Sequence, residues 1–248
     1  MAFLSADILL LIVAAFCVGL SKGGLPGVGM IAVPLLSLIM PSIKAAALML
    51  PIFILSDVVG VYLYRKEFDK ENLKILIPAG LLGVIIGWLT ASMISDNAVS
   101  LLIGILGVGF CLNIWLRKPA KTLAKKPSKR HGLFWGTLSG FTSFISHSGA
   151  PPYQIYMLPQ QLPKLVFAGT TTIVFACVNL AKIIPYALIE PFTTSMLTTA
   201  MLYLPVALVG TMVGKYSVHK LSERWFYLLV QIALFLICTQ LIIRSILG

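Results

Sequence analysis

Charged residues are scarce in this chain, since Asp, Glu, Lys and Arg make up only 11% of its 248 residues. A typical soluble domain has about 25% charged residues. Hydrophobic residues reach 58%, and the mean hydropathy of +0.97 is far above the soluble range. This composition excludes a soluble globular protein and predicts an all-α integral membrane protein. Long apolar runs recur from end to end, so we expect a single membrane domain over residues 1–248.

Motifs for metals, disulfides and nucleotides are also missing. The four cysteines form no CxxC motif, and the three histidines lack ligand spacing, so no metal and no cofactor is expected. No GxxxxGK[ST] motif is present, which argues against ATP as the direct energy source. The absence of an HExxH motif argues against a zinc-dependent hydrolase.

Basic residues are clustered in short loops instead of being spread over one surface. Of the 19 Lys and Arg residues, seven fall between Arg117 and Arg130, four between Arg65 and Lys74, and three between Lys215 and Arg224. Short loops enriched in this way stay in the cytoplasm, so the charge reports topology and does not indicate nucleic acid. The central basic loop is therefore predicted to be cytoplasmic, and counting the membrane crossings from this loop predicts an external N-terminus.

Six apolar segments are long enough to cross a bilayer, at about 20 residues each. They are Lys44 to Tyr64, Leu73 to Met93, Ala98 to Leu116, Val166 to Leu188, Thr194 to Gly214 and Trp225 to Ile246. Two further regions, 6–40 and 132–160, are apolar but interrupted. These are re-entrant hairpins or pairs of short spans, which gives about 8–10 membrane segments in total.

The two halves of the chain share a pattern of Gly, Ser and Pro. An offset of 125 residues relates Ser21, Gly24 and Pro26 to Ser146, Gly149 and Pro151, and an offset of 127 relates Gly83-x-x-x-Gly87 to Gly210-x-x-x-Gly214. Because the halves begin on opposite sides, they are predicted to be inverted repeats, the arrangement of many secondary transporters. The predicted repeats are 1–117 and 132–248, joined by a basic cytoplasmic linker at 118–131.

The interruptions of the two broken regions are the candidate substrate-binding site. Gly and Pro permit a chain break, and a half-helix that begins near Pro26 or Pro151 would direct its N–H groups and positive dipole end toward an anion. Lys22 adds a full charge, and His147 adds one if protonated. Alternatively, Lys22 reaches the interface and His147 is simply hydrogen-bonded. The candidate residues are Ser21, Lys22, Gly23, Gly24, Pro26, Ser146, His147, Ser148, Gly149 and Gln154.

Two opposite charges lie deep in apolar segments. Asp57 and Lys182 are related by the 125-residue offset, and Asn179 comes one turn before the lysine. An isolated charge at the bilayer centre costs at least about 2.5 kcal/mol, so each needs a partner. Two pairings stay open: Asp57 with Lys182, or Asp57 with Lys22 until a substrate or proton arrives. The group is either a coupling site or a structural buried pair.

The motifs GLSKGGLPGVG and SHSGAPP, the basic central loop and the chain length resemble the sulfite exporter TauE/SafE family, also called the toluene sulfonate uptake permease group. The resemblance implies a multi-pass transporter of the bacterial inner membrane that moves small anions, commonly sulfur oxyanions or organosulfonates. We therefore expect a secondary transporter with alternating access around the paired broken helices. Alternatives are an anion channel or uniporter, and an intramembrane enzyme using Ser146, His147 or Asp57. Protons as coupling ion and a homodimer stay open as partners.

Overall fold

A computed structural model describes residues 5–91, 93, 95–116 and 124–247, and within these ranges the chain is helical without any β-strand. The helices are α1 (Ser5–Lys22), α2 (Ala32–Leu36), α3 (Ser42–Tyr64), α4 (Lys70–Thr90), α5 (Asp96–Leu116), α6 (Lys129–Ser146), α7 (Ala150–Met157), α8 (Lys164–Ala181), α9 (Ile183–Ile189), α10 (Thr194–Lys220) and α11 (Glu223–Leu247). Short 3₁₀ segments, Val28–Ile31 and Leu158–Gln160, precede α2 and follow α7. The predicted all-α fold is confirmed.

The six predicted spans are confirmed within a few residues at each end. The six helices long and apolar enough to cross a membrane are Lys44–Tyr64, Lys70–Thr90, Asn97–Leu116, Lys164–Ile189, Thr194–Lys220 and Glu223–Ile246. Local signals explain two of their beginnings. Asp69 accepts a hydrogen bond from the backbone N–H of Asn72 at 2.8 Å, and Thr193 accepts one from that of Met196 at 3.2 Å. Both are N-caps, which satisfy a helical N–H that has no partner inside the helix.

Each interrupted region consists of one 18-residue helix followed by shorter pieces. α1 is followed by the Val28–Ile31 segment and α2, and α6 is followed by α7 and the Leu158–Gln160 segment. Re-entrant hairpins and short spans both stay open as descriptions of these regions. Residues 118–123 of the predicted linker lie outside the described residues, and α6 begins at Lys129, inside the stretch assigned to the linker.

The helices form two compact units, and each unit takes helices from both predicted repeats. The first unit contains residues 1–68 and 168–221, and in it α1 packs along α10 and α3. The second contains residues 69–167 and 222–248, and in it α6 packs along α4 while α5 packs along α11. The division into repeats at 1–117 and 132–248 stays a prediction.

Glycines allow close helix contacts in both units. A Cβ added at Gly83 in α4 would overlap the Thr137 carbonyl oxygen of α6. A Cβ added at Gly210 in α10 would overlap the Phe16 carbonyl oxygen of α1. Apolar side chains give helices in lipid no hydrophobic reason to associate, so close backbone approach through small residues is a main source of packing energy. These motifs therefore act as helix-packing faces.

Gly83 and Gly109 provide a matched pair of substitutions. Gly83→Ala inserts a methyl group against backbone and should lower the free energy of unfolding by about 1–3 kcal/mol. Gly109 in α5 has nothing within 4 Å of an added Cβ, so Gly109→Ala should keep or raise stability by about 0.5–1 kcal/mol through helix propensity. Thermal unfolding of both purified variants in detergent checks this. Equal midpoints would contradict the assigned packing role.

Candidate functional site

The first chain break begins where α1 ends at Lys22. The N–H of Leu25 donates to the Leu20 carbonyl at 3.1 Å, and the N–H of Gly24 donates to the Ser21 carbonyl at 3.2 Å. This pair of bonds is a Schellman motif, which requires a left-handed residue after the helix. Gly24 takes that place with φ of 105°, a conformation that other residues rarely adopt. The motif GlyGly thus ends α1 directly after its lysine.

Two side chains satisfy carbonyl groups that the end of α1 leaves without helical partners. The Tyr64 hydroxyl donates to the Gly23 carbonyl at 2.7 Å, and the Thr172 hydroxyl donates to the Lys22 carbonyl at 3.4 Å. Tyr64 is the last residue of α3, and Thr172 lies in α8. Unsatisfied backbone groups are costly in a membrane, so these bonds fix the backbone at the break.

The Lys22 side chain is buried and paired with Asp57. Its ammonium lies 2.8 Å from Oδ1 of Asp57 and 5.1 Å from the centre of the Phe53 ring, and only 4% of the residue is exposed. Phe53 and Asp57 are one turn apart in α3, so carboxylate and ring face the same cation. Of the two pairings that the sequence left open, the structure has Lys22 with Asp57.

Asn179 extends this ion pair to a second lysine. Its amide nitrogen donates to Oδ2 of Asp57 at 2.7 Å, and its amide oxygen accepts a bond of 3.4 Å from the Lys182 ammonium. Lys182 lies in a turn between α8 and α9. Pro185 explains this turn, because a proline has no N–H for the carbonyl of the residue four before it. Asp57 and Lys182 are thus linked through an amide.

The four side chains of this group, Lys22, Asp57, Asn179 and Lys182, are called the charge cluster below. All are buried, at 1% to 4% exposure. An ammonium group has three donors, and Lys182 uses one of them in its single hydrogen bond among the described residues. With both lysines protonated and Asp57 ionised, the cluster has two cations for one anion. The Ser56 hydroxyl, next to Asp57 and fully buried, has no partner in the part of the chain that the structure describes.

The second break, in the second unit, ends α6 by a related geometry. The N–H groups of His147 and Ser148 both donate to the Thr142 carbonyl, the latter at 3.1 Å. His147 takes the left-handed position with φ of 54° and is buried. A left-handed conformation costs roughly 1–2 kcal/mol for a residue with a side chain. A glycine would fit this position better, so His147 is held there at a cost.

The hydroxyl groups of the second break donate to backbone carbonyls. Ser146 donates to Thr142 at 3.4 Å, Ser148 to Ser146 at 3.1 Å, and Ser139 to Gly149 at 2.7 Å. A hydroxyl has a single proton, so these groups present only lone pairs to a ligand in this conformation. α7 then begins with Ala150-Pro151-Pro152, and two of its first three residues have no N–H. This helix end therefore has fewer donors than the sequence analysis assumed.

The expected half-helix at Pro26 differs in the structure. Pro26 lies in a turn, Gly27 has φ of 98°, and the chain continues as the short segments Val28–Ile31 and Ala32–Leu36. Gly24 and Gly27, on either side of Pro26, both have a positive φ, which is incompatible with a regular helix beginning at Pro26. The helix dipole expected at that position is therefore not found there. Ser21 instead lies in the last turn of α1, packed against Gly29.

The predicted site residues are divided between the two units. Ser21, Lys22, Gly23, Gly24 and Pro26 are in the first unit with the rest of the charge cluster, and Ser146, His147, Ser148, Gly149 and Gln154 are in the second. A common anion site of the two breaks stays a prediction. Sequence reasoning missed Phe53, Tyr64 and Thr172. The spacing of four between Phe53 and Asp57 was a readable signal, whereas nothing local marks Tyr64 or Thr172.

Comparison with protein families gives one assignment for this arrangement. The model of the family described as "Sulfite exporter TauE/SafE" matches residues 11–241. The chain belongs to this family. Comparisons with curated proteins and with solved structures gave no match.

Membership of the TauE/SafE family confirms two expectations from the sequence. The family consists of membrane transporters and not of enzymes, and the match spans both chain breaks and the whole charge cluster. With six apolar helices, this TauE/SafE protein is a multi-pass membrane protein. Among its described residues, no three His, Cys, Asp or Glu side chains form a group that would hold a metal ion.

The Lys22–Asp57 pair should show strong coupling in a double-mutant cycle. Lys22→Met leaves a buried carboxylate without its cation, which should cost about 3–5 kcal/mol of stability. The double variant Lys22→Met/Asp57→Leu removes both charges and should be more stable than Lys22→Met alone. Unfolding midpoints of the purified proteins in detergent measure both effects.

Glu67 provides the control for this cycle. It pairs with Lys215 at 2.6 Å in the same unit, and its side chain is 31% exposed. Water screens such a pair, so Glu67→Gln should cost much less, about 1 kcal/mol or below. Additive losses for Lys22 and Asp57 would show that the two residues do not stabilise each other.

Proposed function

We propose that this TauE/SafE protein is a secondary transporter that moves a small anion, of the sulfur oxyanion or organosulfonate class, across the bacterial inner membrane. The observation that supports the proposal most is the charge cluster. Two buried lysines lie around one carboxylate: Lys22 pairs with Asp57, and Lys182, inside an apolar span, makes one hydrogen bond of 3.4 Å among the described residues, to the Asn179 amide that binds Asp57. An anion is the partner that such a cluster needs.

The argument rests on the cost of charge in a membrane. Ionisable residues within spans are rare, and they pair with each other or mark the path of a substrate. Lys22 has its partner in Asp57, whereas Lys182 forms no ion pair with the residues that the structure describes. A sulfonate or sulfite oxygen accepts hydrogen bonds from an ammonium group, and such charge-assisted bonds are strong. Lys182 therefore takes the role of first contact with the anion.

Alternating access needs an interaction that forms in one state and breaks in another. The Lys22–Asp57 pair sits directly at the break after α1, where the chain turns at Gly24. Opening the pair on arrival of the anion or of a proton would alter the break and expose the site to the other side. A channel or uniporter would use the same cluster without coupling, so anion flux with and without a pH gradient distinguishes these mechanisms.

Basic loops support the proposed orientation. Arg65 to Lys74, the central linker and Lys215 to Arg224 are placed in the cytoplasm, and the turn at Glu190 is placed outside. This gives an external N-terminus. The proposal includes the two partners that the sequence analysis left open, namely protons as the coupling ion and a second copy of the chain in a homodimer.

Lys182→Met should abolish anion flux. The substitution keeps an unbranched side chain but removes the proposed counter-charge of the anion. The flux of sulfite or of an organosulfonate into proteoliposomes should therefore fall to the level of empty vesicles. Lys220→Met is the matched control, because Lys220 is an exposed residue at the end of α10 in the same unit. It should leave flux near the unmodified level. Normal flux by folded Lys182→Met would contradict the proposal.

Topology can be measured with single cysteines in a variant whose four native cysteines are replaced. Glu190→Cys should react with a membrane-impermeant maleimide in intact cells, because its turn is placed outside. Lys126→Cys should react only after the membrane is permeabilised. The reverse pattern would show that the chain is inserted in the opposite orientation.

A further inference from the structure

We infer that the charge cluster selects singly charged anions, because Asp57 cancels the charge of one of its two lysines. The inference rests on the proposed function and specifies its substrate class. It follows from counting the charges of the cluster with both lysines protonated and Asp57 ionised: Lys22 and Lys182 are then the cations, Asp57 is the single anion, and Asn179 links Asp57 to Lys182 without adding charge. The sum is one positive charge.

Neighbouring groups leave this count unchanged. α3 packs against α1, α2 and α10, and the hydrogen bond from Asn179 to Asp57 joins it to α8. α2 has no ionisable residue, and Asp7 lies in the first turn of α1, at the opposite end from Lys22. On α10, Lys215 pairs with Glu67, while His219 and Lys220 lie in the exposed last turn. In the described part of these helices, the other titratable side chains are thiols and phenols (Cys17, Cys177, Tyr62, Tyr64, Tyr203 and Tyr216), which carry no charge at neutral pH, and the ammonium groups of Lys44 and Lys164, which lie at the beginnings of α3 and α8.

A singly charged ligand neutralises the cluster, whereas a doubly charged one leaves a negative charge without a partner. Uncompensated charge is expensive where water cannot solvate it. The available donors agree with this count. Lys22 is engaged by Asp57, and Lys182 has two donors beyond its bond to Asn179. A monosulfonate group, with one charge spread over three oxygens, matches these donors.

The test compares two ligands of similar size and different charge on the purified protein. Isethionate carries one negative charge at neutral pH, and sulfoacetate carries two. Isothermal titration calorimetry should show that the unmodified protein binds isethionate at least about tenfold more tightly, a difference of about 1.4 kcal/mol. Asp57→Asn raises the cluster charge to two and should reverse the preference in favour of sulfoacetate.

Three further variants separate the charge count from other effects. Glu67→Gln removes one acidic group of the same unit outside the cluster and should keep the isethionate preference. Lys22→Met/Asp57→Leu removes the ion pair and leaves the count at one, so it should also keep the preference. This double variant leaves no unpaired partner of the Lys22–Asp57 pair, so it keeps the test decisive where Asp57→Asn does not fold. Lys182→Gln brings the count to zero and should bind neither ligand.

The outcomes distinguish this inference from the proposed function. If the unmodified protein binds both ligands without regard to charge, or prefers sulfoacetate, the charge selectivity is overturned while anion transport stands. The same holds if Asp57→Asn folds and leaves the ratio of affinities unchanged, or if the double variant loses the preference. If the unmodified protein neither binds nor transports any small anion, the proposed function itself fails.

Discussion

The apolar interior of a membrane has no water to solvate a charge, and this constraint governs the first unit. Lys22 is acceptable there because Asp57 lies 2.8 Å away and the Phe53 ring covers the same ammonium. Asp57 in turn needs Asn179 for its second oxygen. Each member thus depends on the next, and the series ends at Lys182, whose ammonium has only an amide oxygen at 3.4 Å among the described residues. Lys182 is thus the positive end of this series, and it is where the proposed anion would bind.

The position of Lys22 also depends on how α1 packs against α10. A Cβ on Gly19 would overlap the Ala207 carbonyl oxygen, and a Cβ on Gly23 would overlap that of Thr211, so α1 lies against α10 over its whole last turn. Gly23 also accepts the hydrogen bond of Tyr64. One residue therefore takes part in both the helix contact and the chain break. A larger residue there would displace the lysine and weaken its ion pair.

The membrane spans were predictable from the sequence, whereas the polar contacts between helices were only partly predictable. Apolar runs give the six spans because length and composition alone determine whether a helix can cross. Asp57 was recognisable as a charge in need of a partner, but its choice of Lys22 over Lys182 depends on how α1, α3 and α8 pack. The helix expected at Pro26 was wrong in form because Gly27 adopts a left-handed conformation. The turn at Lys182 was not predicted, although Pro185, three residues after it, is a local signal for an interrupted helix.

Incomplete neutralisation is a useful property in a transporter. A site must bind its substrate strongly enough to admit it and weakly enough to release it. Two free ammonium groups in an apolar span would hold an anion tightly, and a neutral cluster would give it no reason to enter. In the proposed mechanism, Asp57 occupies Lys22 and so reduces the attraction to that of one cation, and the Lys22–Asp57 pair would break and re-form next to the α1 break. In the proposed transporter, the carboxylate thus limits the affinity of the site for its anion and connects the occupancy of the site to the chain break after α1.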